Sequence, residues 1–248
     1  AGIEASLAAS RCGSKVALIT LNKNSIGRMS CNPSIGGLAK GHLVREIDAL
    51  GGIMGRVADL TTLQYKTLNK SKGRAVWSPR SQIDKIQYTK HIQQIINNNK
   101  NITVIEDEII NFIVKNNSIS EAILKSKGSY KCRALIITCG TFMSGLIHIG
   151  NKRFMGGRMG EKRSQGLTEA LKNKGFLMAR LKTGTPPRAS AYSINFNKLE
   201  ITHGDEEAFP FSMFTKKPEL SIASYNMLDL TIFSFSKTEN KNINMVLF

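Results

Sequence analysis

Acidic residues are scarce in this chain. Asp and Glu number 18 against 35 Lys and Arg, for a formal net charge of +17 at pH 7. That imbalance favours a polyanionic partner, because each phosphate neutralised by a protein cation releases condensed counterions. A coding bias toward Lys and Asn would raise the charge without any partner, and the run Asn97-Asn98-Asn99-Lys100-Asn101 keeps that reading open. Cysteine is also sparse: Cys12, Cys31, Cys132 and Cys139 include no C-x-x-C pair. Their spacing excludes a zinc framework, and so low a Cys content in a chain of 248 residues excludes a small disulfide scaffold. A reducing cytosol is the simpler setting. The four His never cluster with the Cys at ligand spacing, so no metal centre is predicted. No apolar run reaches membrane-spanning length, no signal-peptide pattern opens the chain and no internal repeat is visible.

Hydrophobic content of 41% with 21% charged residues is ordinary for a globular protein, and this length holds one large domain or two modest ones. The pattern predicts an α/β fold. Ala1 to Gly13 reads as an Ala-rich helix stopped by Gly13, and Lys15 to Thr20 as a buried strand, together the second half of a βαβ unit. Leu38 to Leu50 suits a helix closed by Gly51-Gly52. A second helix is predicted from about Arg80 to Asn98, with Ile83, Ile86, Ile92, Ile95 and Ile96 on one side. Ile102 to Glu106 reads as a strand, and Ile109 to Lys115 with Ile119 to Lys125 as a hairpin across Asn116-Asn117-Ser118. Cys132 to Thr138 reads as a buried strand running into a turn at Cys139-Gly140-Thr141, as at the ligand-binding edge of an open α/β sheet. Gly156 to Gly160 is a loop leading to a helix from about Ser164 to Lys174, a reasonable anion cradle.

Two stretches carry the chemistry. From Arg28 to His42 a thiol, Cys31, sits beside a proline corner, the pair Gly36-Gly37 and the basic groups Arg28 and Lys40. Cations and a helix start near Gly37 would lower a thiol pKa, and two glycines let backbone approach a ligand closely. A glycine-rich turn around an inert, buried Cys accounts for the same residues. From Lys66 to Arg80, the basic residues Lys66, Lys70, Lys72, Arg74 and Arg80 occur with no acid, interleaved with Tyr65 and Trp77. Cations there can grip phosphates and aromatic faces can stack on unpaired bases; a solvated loop with one core Trp is the alternative. Arg45, Glu46 and Asp48 read as solvent-exposed helix residues, and His42 and His148 as satisfied structural groups, His42 being the better candidate for a role.

The run Arg28 to His42 is followed in order by Glu46-Ile47-Asp48-Ala49-Leu50-Gly51-Gly52, Leu68-Asn69-Lys70-Ser71-Lys72-Gly73, Gly140-Thr141-Phe142, Ile147-His148-Ile149-Gly150 and Leu181-Lys182-Thr183-Gly184-Thr185-Pro186-Pro187-Arg188. This series, over roughly Ala1 to Asp205, resembles the glucose-inhibited division protein A family of flavin-dependent tRNA uridine 5-carboxymethylaminomethyl modification enzymes. The resemblance implies a Rossmann-like FAD-binding domain lacking its first strand over 1–181, the start of an inserted substrate and NAD domain over 182–219, and a divergent tail over 220–248. It implies Cys31 as catalytic cysteine, and Gly2, Ile109 and Ser164 at the FAD, Gly2 matching the last glycine of a G-x-G-x-x-G fingerprint; Gly140 and Thr141 join them on physical grounds as a strand-end turn. It further implies NADH as reductant, methylenetetrahydrofolate as one-carbon donor, wobble uridine of tRNA as substrate, a tRNA modification GTPase as partner, and a cytoplasmic homodimer of the complete protein. Lys70, Lys72, Arg74 and Arg80 are the expected tRNA contacts. The tail matches neither the nicotinamide-binding region nor the second catalytic cysteine that the resemblance implies, so the chain reads as a truncated member. A related folate- and FAD-dependent tRNA uridine methyltransferase, and a non-catalytic remnant that binds tRNA or the GTPase, are the alternatives.

Overall fold

The computed structural model of the chain describes residues 1–30, 32–183, 190–199, 203–207 and 209–216, and its secondary structure is α/β. The Ala-rich opening forms α1 (Gly2–Arg11). It stops at Gly13, whose φ of +80° is left-handed backbone that glycine adopts without a Cβ penalty. β1 (Val16–Thr20) follows, half-buried with Ala17 exposed rather than fully buried as predicted. Next come β2 (Ser34–Gly36), α2 (Gly41–Ala49), α3 (Met54–Leu60), β3 (Thr62–Leu68), β4 (Ser78–Ile83), α4 (Lys85–Asn97) and β5 (Ile102–Glu106). The remainder holds β6 (Ile109–Lys115), β7 (Ser118–Leu124), β8 (Gly128–Lys131), β9 (Leu146–Ile149), β10 (Lys152–Met155) and α5 (Leu167–Lys172). β1 pairs with β5, β2-β4-β3 and β6-β7-β8 are antiparallel sheets, and β9 pairs antiparallel with β10.

Three sequence expectations shift. The helix expected from Arg80 begins at Lys85, because Asp84 caps it: its carboxylate accepts from the N–H groups of Ile86 at 2.9 Å and Gln87 at 3.1 Å. Ile83 therefore belongs to β4 and Ile86 is exposed, while Ile92 and Ile96 face the core as predicted. The helix expected from Ser164 is shortened to α5 and stops before Gly175, at φ +87°. Cys132 to Thr138 forms no strand among the described residues: Cys132 N–H reaches the Ser120 carbonyl of β7 at 3.0 Å, but the run joins no sheet, and Ile136 and Ile137 are exposed. A run of β-formers fits a pleated surface but cannot supply the neighbouring edge whose N–H and C=O groups a strand must bond.

The chain divides into two units. The first comprises the described parts of Ala1–Leu18, Asn22–Ile105 and Glu200–Thr231. Its core joins Val44 of α2, Val57 and Ala58 of α3, Tyr65 of β3, Ile83 of β4, and Ile92 and Ile96 of α4 to Phe211. Tyr65 and Phe211 meet edge to face with ring centroids 5.8 Å apart. Glu4 of α1 caps α3, accepting from Ile53 N–H at 3.0 Å and Met54 N–H at 2.7 Å. The second unit comprises Ile19–Leu21 and the described parts of Glu106–Leu199. There α5 buries Leu167 and Ala170 against Phe112 of β6. The β6–β7 hairpin turns at Asn116 and Asn117, with φ of +49° and +59°, the left-handed pair of a type I′ turn.

Candidate functional site

In the first unit the Arg28 to His42 motif is built onto the sheet β2-β4-β3. Cys31 lies outside the described residues. Its neighbour Pro33 offers its carbonyl to Ile83 N–H at 2.7 Å, and β2 then runs antiparallel to β4 with Ser34 opposite Gln82 and Gly36 opposite Arg80. The two glycines do different work. Gly36, at φ +82°, lies under the Pro79 carbonyl and the Phe211 ring, which a Cβ would meet at 2.2 and 2.7 Å. Gly37, at φ +98°, has no described atom within 4 Å of where its Cβ would be, yet the residue is buried and its N–H donates to the Pro79 carbonyl at 2.9 Å. The Gly37 carbonyl accepts from Lys40 N–H at 2.9 Å, Gly41 N–H at 2.8 Å and the Ser78 hydroxyl, which delays α2 to Gly41 rather than the expected start near Gly37. Lys40 and His42 are exposed beside that start.

Two buried acids organise this unit. Asp48, read as exposed, is 2% accessible, and Asp59 is fully buried. Asp59 accepts from the N–H groups of Phe211 and Ser212, both at 2.9 Å, and Asp48 from Met213 N–H at 3.0 Å. Burial raises the Asp59 carboxyl above its usual range, against the lowering effect of those N–H groups. The one available signal was an acid amid apolar residues in Val57-Ala58-Asp59-Leu60.

The basic stretch meets an acid from elsewhere in the chain, and one of its two aromatics, Tyr65, is buried while Trp77 is half-exposed. Asp205 pairs with Lys70 at 3.0 Å and accepts from Thr67 N–H at 2.8 Å. Burial pushes the Asp205 carboxyl up, but Lys70 and Thr67 outweigh it and hold the group below its usual range. Tyr65, expected to stack on bases, is a core residue whose hydroxyl burial pushes up to about 12. Trp77 donates its indole N–H to the Lys72 carbonyl at 3.0 Å, and the Arg74 guanidinium lies 5.6 Å from the centre of its ring. Lys72 and Arg74 are exposed and Lys66 and Arg80 half-buried.

In the second unit, the residues expected near the flavin fall on adjoining segments. Ser164 is buried; its N–H donates to the Phe142 carbonyl and its carbonyl accepts from Ser144 N–H, both at 2.9 Å. The turn Gly140–Thr141 is thereby held next to the loop before α5. β6, which begins at Ile109, passes the same loop: a Cβ on Gly166 would meet the Ile110 carbonyl at 2.8 Å, and Glu108 accepts from Gln165 N–H. That N–H, expected at an anion cradle, thus already holds a carboxylate. Ile109 packs against the core and Gly2 starts α1 in the first unit. The Arg158 guanidinium lies 5.0 Å from the centre of the Phe142 ring. His148 is half-buried in β9 opposite Arg153. Cys12 is exposed after α1, and Cys132 is half-buried with its thiol pushed up by burial. Among the described residues no group of three His, Cys, Asp or Glu could hold a metal, and no helix is long and apolar enough to cross a membrane.

The family model described as "Glucose inhibited division protein A" matches residues 1–244. The chain is 47% identical over 216 residues to the tRNA uridine 5-carboxymethylaminomethyl modification enzyme MnmG of Aquifex aeolicus, and 51% identical over 218 residues to that of a Sulfurihydrogenibium species. Each match covers 87% of this chain. The solved structure of Aquifex aeolicus GidA in its form II crystal superposes with a TM-score of 0.82 at 47% identity over 86% of this chain. The chain spans 35% of the length of the curated relatives and 36% of that crystallised chain. On these matches the chain belongs to the glucose-inhibited division protein A family.

Proposed function

We propose that this chain is part of an FAD-dependent enzyme that adds a carboxymethylaminomethyl group at C5 of the wobble uridine of tRNA. The observation that carries the reading is 51% identity over 218 residues to a relative bearing that activity in its name. Cys31 is the nucleophile: its thiolate adds to C6 of the pyrimidine and so makes C5 nucleophilic. The exposed cations Lys72 and Arg74, with Lys70 and Arg80, hold tRNA phosphates while the uridine is presented unstacked.

For FAD the proposal keeps Gly2, Ile109, Gly140, Thr141 and Ser164. The turn fits a cofactor's polar edge: Gly140 has φ +56° and nothing within 4 Å of its Cβ position, so its peptide groups are approachable. The flavin, when bound, supplies the redox chemistry of the one-carbon unit. NADH as reductant, methylenetetrahydrofolate as donor, a GTPase partner, a homodimer and a cytoplasmic setting complete the proposal, as does a Rossmann-like FAD domain over 1–181 followed by an inserted domain from 182. The tail over 220–248 lies outside the described residues.

Cys31→Ser in the complete protein tests the assignment. It is expected to remove the modified nucleoside from tRNA while flavin absorbance and thermal unfolding stay as in wild type. Full modification by the Ser variant would overturn it, and 5-methyluridine as the wild-type product would favour the methyltransferase reading instead.

A further inference from the structure

β3 and β4 place two cations side by side. Lys66 and Arg80 are directly opposed in the antiparallel register, and both are half-buried. With Gln64, Leu68 and Gln82 they line one shallow depression on the face of the sheet. Like charges directly opposite each other destabilise a strand pair, and partial burial strengthens the repulsion by lowering the local dielectric. Among the described residues neither cation has a carboxylate partner; the nearby Asp205 is taken by Lys70. Arg80 is nevertheless positioned. With the Gln82 amide turned to satisfy both neighbours, its oxygen accepts from Arg80 Nη2 at 2.7 Å and its nitrogen donates to the Pro33 carbonyl at 3.2 Å. A guanidinium held by a neutral amide, facing an ammonium, in a depression with no acid, is an arrangement completed by an anion.

We propose that Lys66 and Arg80 form an oxyanion subsite that takes one phosphate group. The planar guanidinium fork matches two phosphate oxygens and the ammonium supplies a point charge. Gln64 and Gln82 bound the site with neutral polar groups that add no repulsion. Through Gln82 and Pro33 the subsite is tied to the motif that contains Cys31. Reading the phosphate as one of tRNA rests on the function proposed above; the subsite itself does not. The same chemistry would hold a small phosphorylated compound.

The test titrates inorganic phosphate into the chain at constant ionic strength, by calorimetry, with Lys66→Gln, Arg80→Gln and Lys66→Arg, and with Lys90→Gln on an exposed turn of α4 as control. Wild type, Lys66→Arg and the control are expected to bind phosphate saturably. Either Gln variant is expected to weaken binding about ten- to a hundredfold, the range for one lost charge-assisted hydrogen bond. Without phosphate both Gln variants are expected to melt at or above the wild-type temperature, since a like-charge repulsion is gone. Phosphate affinity unchanged in both Gln variants, or absent from wild type, overturns the subsite. A second arm titrates tRNA at several salt concentrations. A salt slope about one unit shallower in the Gln variants assigns the phosphate to RNA. An unchanged slope with phosphate binding lost assigns it to a small ligand. No tRNA binding by wild type would sink the tRNA reading while leaving the subsite standing.

Discussion

Asp59 has no exposed surface, and its carboxylate is the anchor for two backbone N–H groups that arrive from more than 150 positions away. Removing it strands those donors in the core. Asp59→Ala is expected to cost about 2–4 kcal/mol, since each buried unsatisfied group costs ~1–3 kcal/mol. Equilibrium urea unfolding would show this as a lower midpoint. The pH dependence has a definite sign. Burial places the folded carboxyl above its unfolded value near 3.8, so the native state holds the proton longer. The Asp59 contribution is therefore greatest in acid and falls as pH rises through the window above 3.8. Asp59→Asn, which cannot titrate, is expected to lie furthest below wild type at the acid end of that window, the gap narrowing as pH rises. A gap that widens with pH would mean that the N–H groups, rather than burial, dominate this carboxyl.

Among the elements, β2 shows how a single glycine decides a strand's place. An Ala at Gly36 would drive its methyl into the Pro79 carbonyl and the Phe211 ring and would also strain a left-handed φ. At Gly37 only the φ is unfavourable. Gly36→Ala is expected to lose more than about 2 kcal/mol and Gly37→Ala about 1–2 kcal/mol, overpacking being added to strain in the first alone. Denaturant midpoints of the two variants measure the difference directly. The β6–β7 hairpin offers the opposite case. Its second turn residue, Asn117, already sits at φ +59°. Asn117→Gly is expected to raise the unfolding midpoint by a margin worth about 0.5–1 kcal/mol, since Asn-Gly suits a type I′ turn better than Asn-Asn.

At the scale of the whole molecule, the net charge of +17 should make nucleic-acid binding strongly dependent on salt. The cations are not equivalent. Lys70 is already neutralised by Asp205, whereas Lys72 and Arg74 are exposed without such a partner among the described residues. In tRNA titrations at several salt concentrations, Lys72→Ala is expected to lower the salt slope by about one unit and Lys70→Ala by clearly less. The triple replacement of Lys70, Lys72 and Arg74 by Ala should flatten the slope further while leaving flavin content unchanged. Superimposable slopes for wild type and triple variant would mean that the RNA surface lies elsewhere.

Local patterns by themselves determined much of this protein. Gly13 ends α1, the apolar spacing of Ile92 and Ile96 faces α4 to the core, β5 spans the predicted residues, and Asn116-Asn117 turns the hairpin. Each depends on neighbours within a few positions, where sequence and geometry are tied by the helical and strand periods. The ordered motifs from Arg28 to Arg188 were likewise enough to identify the family. Tertiary structure alone decided the rest. Tyr65 became core because Phe211 meets it, Lys70 acquired an acid 135 positions away, and Asp48 and Asp59 turned inward to bind a distant loop. Cys132 to Thr138 formed no strand among the described residues despite its β-forming side chains. The cationic pair Lys66 and Arg80 was visible as two letters but not as neighbours, because strand register is set by pairing across the sheet and is not written in either strand.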